Sequence, residues 1–205
     1  GDHLIIDAIT NYKKDIVSVS GAIRHAGDFA WREGMKVSDI ISDRDKLRPD
    51  ADLDASLLVR ELDGSADIEV VIFELGNIFF DSASKDNLEL HSRDKIIVLS
   101  DYQDRADAIA PFIANLKRQT SVGKLPRVVR SGGTVRYPGE YPLSKGMTVR
   151  DIIKLSGGLL ESSYSQSAEI SRTDLSNPDR AITSIIVSEL SSSFSSRLQP
   201  YDYVE

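Results

Sequence analysis

The sequence predicts an α+β fold: two tandem units of one kind, each a mixed sheet crossed by one helix, joined by an amphipathic helical linker. Three observations carry that expectation. The segment VSVSGAIRHAGDF beginning at Val17 recurs as VRSGGTVRYPGEY beginning at Val129. The match continues in one register, with Gly34, Met35, Val37, Asp39, Ile40 and Ile41 becoming Gly146, Met147, Val149, Asp151, Ile152 and Ile153, and Arg60 becoming Arg172. The residues between the copies keep helical rather than strand spacing.

Taken in order, residues 1–15 read as the closing strand of a preceding unit and a connector, because Gly1-Asp2 followed by an apolar run echoes the end of each copy. Both ends of the chain look cut, which implies a longer parent. The first unit, 16–100, opens with alternating Val17, Val19 and Ile23 and then a turn, a hairpin signal. Its helix begins near Val37 and its later strands span 57–61, 68–75 and 95–99.

The second unit, 123–205, repeats the hairpin around Pro138-Gly139. In its helix Thr148 is placed to accept a backbone N–H, Asp151 lies near the positive end, Val149, Ile152 and Ile153 form the buried stripe, and Gly157-Gly158 stops it. Strands follow at 169–172, 182–190 and from 203. The first copy has Lys36 where the second has Thr148, and Arg44-Asp45-Lys46 in place of Ser156-Gly157-Gly158, which predicts a differently ended and less stable first helix. Farther on, Glu74-Leu75 resembles Glu189-Leu190, and the stretch from Leu90 to Asp94 resembles that from Leu198 to Asp202.

In the linker, 101–122, Tyr102, Ala106, Ile109, Ile113 and Leu116 form an apolar stripe that needs a partner, either the two units or another chain. Ser100 with Gln103 resembles a capping box. Pro111 predicts a kink, or a helix that starts there.

Composition narrows the function. A net charge of −7 and a pI near 5.1 argue against nucleic acid, whose binding rests on cations neutralising phosphates, and would weakly repel an anionic polymer unless local basic patches override it. No apolar run approaches the roughly 20 residues of a membrane helix. With no cysteine there is no disulfide or thiolate site. His3, His25 and His91 lack metal-ligand spacing with nearby acids, so no metal or cofactor is expected. Gly132-Gly133 and Gly157-Gly158 lack the spacing and the following Lys of a phosphate loop. No carboxylate pair stands out for glycoside hydrolysis, and the chain is not expected to be an enzyme.

The ordered motifs V-x-V-x-G-x-[IV]-x-x-P-G-x-[FY], G-M-x-V-x-D-[IL]-I, Gly-Gly and a later strand ending in Arg resemble the soluble-ligand-binding β-grasp (SLBB) domain. The likeness is strongest from Val135 to Leu159. His25-Ala26, standing where the second copy has Tyr137-Pro138, marks the first copy as diverged. The linker segment from Ala110 resembles that of multi-module polysaccharide export proteins. The resemblance implies tandem β-grasp modules in a non-catalytic part of a capsule or exopolysaccharide export assembly. It also implies a periplasmic location, associated with the outer membrane in the parent, with polysaccharide and other export subunits as partners and a homo-oligomeric full-length protein. The alternatives are a stand-alone glycan-binding module pair or a β-grasp interaction module in an unrelated complex.

Two readings of the side chains stay open. Sugars are held by aromatic rings and planar polar groups, which makes Arg24, Trp31, Arg136, Tyr137 and Tyr141 the glycan- or partner-binding candidates. In the plainer reading Phe29 and Tyr141 pack in the core at equivalent positions and Arg24 and Arg136 are surface strand residues. Gly27, Gly34, Gly139 and Gly146 are assigned to turns with unusual backbone angles. The serine-rich stretches 162–167 and 191–196 read as loops that order on contact.

Overall fold

Ile16–Gly21 (β1) places Val17 and Val19 in the core, and hairpin pairing with Gly27–Ala30 (β2) joins Ile16 to Ala30 and Val19 to Gly27. The computed structural model describes residues 15–62, 64–102, 105–120, 125–161, 167–173, 183–189 and 196–205. The echo of a closing strand at 1–14, the linker residue Gln103 and most of both serine-rich stretches lie outside the described residues.

Three further strands complete the first sheet: Ala51–Glu61 (β3), Ile68–Phe73 (β4) and Lys95–Ser100 (β5), in the order β2-β1-β5-β3-β4. β1 and β5 run parallel and the other pairs antiparallel, so the sheet is mixed. Two short helices accompany it, Val37–Ile40 (α1) and Leu75–Phe80 (α2), with a 3-10 turn at Arg44–Lys46. The sequence predicts one helix here and a strand to residue 75. β4 stops at Phe73 because Leu75 and Ile78, three residues apart, bury together on one helical face.

The second sheet contains Val128–Ser131 (β6), Gly139–Pro142 (β7), Ser167–Thr173 (β8), Thr183–Glu189 (β9) and Tyr203–Val204 (β10), in the order β7-β6-β10-β8-β9. Its helix is Val149–Leu155 (α4). Pairing registers repeat between the sheets. Ser18 against Lys95 becomes Arg130 against Tyr203, Val59 against Lys95 becomes Ser171 against Tyr203, and the isolated bridge Ile23–Leu47 becomes Val135–Leu159.

Each helix start carries the same carboxylate cap. Asp39 accepts the Lys36 N–H at 2.9 Å, and Asp151 accepts the Thr148 N–H at 2.8 Å. The Thr148 hydroxyl also donates to Asp151, where the sequence reading had it accept from the backbone. α4 runs seven residues against four for α1.

Arg60 and Arg172 each make a bidentate pair with a fully buried carboxylate. Arg60 donates to Asp94 at 3.0 and 2.7 Å, and Arg172 donates to Asp202 at 2.8 and 2.7 Å. Each carboxylate also accepts a backbone N–H three residues upstream, from His91 or Gln199. The residue before each Asp, Arg93 or Tyr201, is held at positive φ, 71° or 66°. A tight loop thus turns back onto the guanidinium in both halves.

Between the sheets runs Arg105–Arg118 (α3), with Pro111 inside it rather than at its start. Its buried face is Arg105, Ile109, Ile113 and Leu116, whereas Tyr102 and Ala106, assigned to that face from spacing, are exposed. The helix starts at a charged residue whose charge is satisfied by its neighbours, which shifts the stripe by one position. The partner of the stripe is both sheets. Leu57, Val59, Ile97 and Leu99 share one core with Ile109, Ile113 and Leu116 and with Val129, Ile152 and Ile170 of the second sheet. Leu58, Ile96 and Val98, alternating with them, face a separate core with Val17, Ile41 and Phe73. The first sheet is therefore covered on both faces, the physical reason for the unbroken apolar runs in β3 and β5.

Candidate functional site

A cleft of about 280 Å³ lies where the first sheet meets α4. One wall is the end of β4 with Glu74 and the turn carrying Lys85 and Asp86, and the other is the turn from Ser144 to Met147 with Asp151 and Lys154 of α4. Asp54 reaches it from an irregularity in β3, where the Asp52 carboxylate accepts the N–H groups of Asp54 and Ala55 at 2.7 and 3.2 Å.

Two contacts join the walls. The Ser144 hydroxyl donates to the Val70 carbonyl at 2.7 Å and accepts the Ile72 N–H at 3.1 Å, closing the outer edge of β4. Lys154 bridges to Glu74 at 2.7 Å. The remaining edge residue of β4 is Ile68. With its amide oxygen turned to the Ile68 N–H and its nitrogen to the Ile68 carbonyl at 3.2 Å, Gln119 covers it.

Behind the cleft, Arg105 is buried with Asp52. Its guanidinium donates to Asp52 and to the carbonyls of Lys154 and Leu155 at the C-terminal end of α4, at 3.2 and 2.7 Å, where the helix dipole favours a cation. It also sits 5.1 Å from the centre of the Tyr137 ring. Burial raises the Asp52 carboxyl above its ordinary 3.8, against the pull of Arg105. The hub ties β3, α3, α4 and the second hairpin together.

Most of the acidic groups on the walls are engaged. Asp86 accepts from Asn77 at 2.7 Å, Asp151 caps α4, and Glu74 holds Lys154. Among the described residues, the side chains of Asp54, Lys85 and Lys145 have no hydrogen-bond or ion-pair partner, and all three are exposed.

The binding candidates read from sequence are divided between the two halves, with Arg24 and Trp31 in the first and Arg136, Tyr137 and Tyr141 around the second hairpin. Trp31 is half-buried against the first core and donates its indole N–H to the Leu90 carbonyl at 2.7 Å. Tyr141 is buried and donates to the Tyr137 carbonyl, and Tyr137 donates to the Asp101 carbonyl while its face carries Arg105. Arg24 and Arg136 are exposed at equivalent positions of the two hairpins. The Tyr137 ring is half-buried and the Tyr141 ring is buried. Gly146, which lines the cleft, and Gly34 take φ of 76° and 74°, and Gly27 takes 153°. Gly139 is not among the glycines of positive φ: it opens β7, where a side chain would meet open space.

Sequence reasoning missed Arg105, Asp52, Lys85 and Lys145. Arg105 left a signal, since it precedes Ile109 by one helical turn and so occupies the apolar face. The two lysines left none, being exposed residues far apart in sequence. Among the described residues no group of three His, Asp or Glu could hold a metal ion, and no helix is long and apolar enough to cross a membrane.

A family model described as the SLBB domain matches residues 130–183. Over these residues the second half of the chain is similar to the SLBB domain, a soluble-ligand-binding module of a binding rather than catalytic family. The match begins in β6 and ends in β9, and takes in α4 and the Ser144–Met147 wall of the cleft. A comparison with curated proteins finds no match to this chain.

Proposed function

We propose that the chain is a tandem pair of SLBB modules serving as a non-catalytic scaffold and binding part of a polysaccharide export assembly. In this reading the parent protein is periplasmic, associated with the outer membrane, and homo-oligomeric. The observation that carries the tandem reading is the repeat of register, bridge and buried Arg–Asp pair in a first half that the family match does not reach. A scaffold needs fixed spacing between its units, and α3 with the Arg105 hub supplies it by sharing one core between both sheets. The export role rests on the sequence resemblance of the two modules and their linker.

An in-frame deletion of residues 16–205 from the full-length gene tests the role. Polysaccharide should vanish from the cell surface while its synthesis inside the cell continues. Undiminished surface polymer would end the export reading, and cell fractionation that placed the parent in the cytosol would end the assignment of compartment.

A further inference from the structure

We propose that the outer edge of β9 pairs with the same edge of a second copy of this chain, antiparallel about a two-fold axis at Ile186, so that two five-stranded sheets join into one. The proposal goes beyond the reading above and does not depend on the export assignment.

The fold closes the equivalent edge of the first sheet. β4 holds there the place that β9 holds in the second sheet, and its outer backbone groups are met by the Ser144 hydroxyl and the Gln119 amide. Among the described residues β9 pairs with β8 alone, and nothing else meets its backbone. β9 is seven residues long, whereas β2 and β7 at the opposite edges run four each. Proteins blunt an open edge with lysine, proline or a bulge, yet Thr183–Glu189 contains neither lysine nor proline and pairs with β8 in unbroken register. An edge of this kind is a template for another strand.

Backbone geometry fixes which groups are offered. Glu169 and Glu205 exchange hydrogen bonds at 2.8 and 3.0 Å, so the backbone groups of Glu169 and Ser171 turn toward β10, and those of Ala168, Ile170 and Arg172 turn toward β9. Their partners Ser188, Ile186 and Ser184 turn back to β8, which leaves the N–H and C=O groups of Thr183, Ile185, Val187 and Glu189 pointing outward. A two-fold axis at Ile186 sets Ile185 across Val187 and Thr183 across Glu189, so every outward group gains a partner. Moving the axis to Ile185 or Val187 leaves an end residue unpaired. The residue types suit the same register. Polar residues flank an apolar centre in TSIIVSE, Ser184 stands across Ser188, β-branched residues stand across one another, and the one charged residue, Glu189, meets Thr183 rather than its own copy. A self-complementary edge of this sort selects a second copy of the chain and closes as a dimer.

Light scattering of the 205-residue chain over a concentration series should show the mass rising from 22.6 kDa toward twice that value. Ile185→Lys with Val187→Lys sets lysine against lysine and should hold the chain at 22.6 kDa, as should Ile185→Glu with Val187→Glu. Mixing these two variants should restore the dimer. The chain has no cysteine, so a single cysteine on β9 reports the register without a competing thiol. Ile186→Cys stands across itself in a non-hydrogen-bonded pair, about 4.5 Å between Cα atoms and within disulfide reach. Mild oxidation should link Ile186→Cys into a covalent dimer and leave Glu189→Cys, whose partner is Thr183, unlinked. The cysteine comparison decides the proposal even where a charged variant fails to fold. A monomer at every concentration, a mass beyond the dimer, linkage of Glu189→Cys as readily as of Ile186→Cys, or a dimer unmoved by the lysine pair would each overturn it.

Discussion

Asp94 and Asp202 are fully buried carboxylates, and each is bound by one arginine and one loop N–H. Removing the arginine strands a charge, whereas removing both partners does not. Arg60→Met should destabilise the protein by about 3–5 kcal/mol in urea unfolding, and the double variant Arg60→Met, Asp94→Leu should recover much of that loss. A second carboxylate sets part of the acid response. The Ser100 hydroxyl, bonded to Asp50 at 2.8 Å, is the largest cause of a lowered Asp50 carboxyl, with burial opposing it and the Arg48 pair adding to it. Because the folded value lies below the ordinary 3.8, its stabilisation is present above pH 3.8 and is lost as pH falls through the folded value. Ser100→Ala should move the Asp50 carboxyl upward in a carbon-detected NMR titration and make acid unfolding less steep below pH 4.

At the scale of elements, α3 carries an avoidable cost. Pro111 sits in the middle of fourteen helical residues and removes the hydrogen bond to the Asp107 carbonyl, so Pro111→Ala should raise stability by up to about 3 kcal/mol in denaturant unfolding. Two glycines around α4 separate backbone strain from collision. Gly146 has φ of 76° and open space around an added Cβ, so Gly146→Ala should cost roughly 1–2 kcal/mol in thermal unfolding. Gly157 has φ of 81° and an added Cβ would lie 2.6 Å from the Tyr137 ring. Gly157→Ala should cost more than Gly146→Ala, and should also disturb the ring beneath Arg105.

Across the whole molecule, two similar sheets share one core, which predicts that they unfold together. Trp31, the only tryptophan, lies in the first half, so its fluorescence reports there, whereas Ile152 is buried on α4 in the second. Ile152→Ala should lower stability by about 2–5 kcal/mol, and the fluorescence transition of Trp31 should shift with it. An unshifted Trp31 transition would mean that the halves unfold independently.

The sequence by itself determined the duplicated sheet-and-helix pattern, the hairpins, the starts of α1 and α4 and the amphipathic linker, because each follows from spacing along the chain: alternation for strands, one-turn recurrence for helices, an Asp three residues past the cap. It also marked Arg60 with Arg172, and Asp94 with Asp202, as recurring positions. Only the tertiary structure paired each arginine with its carboxylate, placed α3 between the sheets and turned Tyr137 and Tyr141 inward. It alone brought Lys85 to the same cleft as Lys145. Those facts join residues tens of positions apart, and local periodicity holds no information about which distant faces meet when apolar surface is buried.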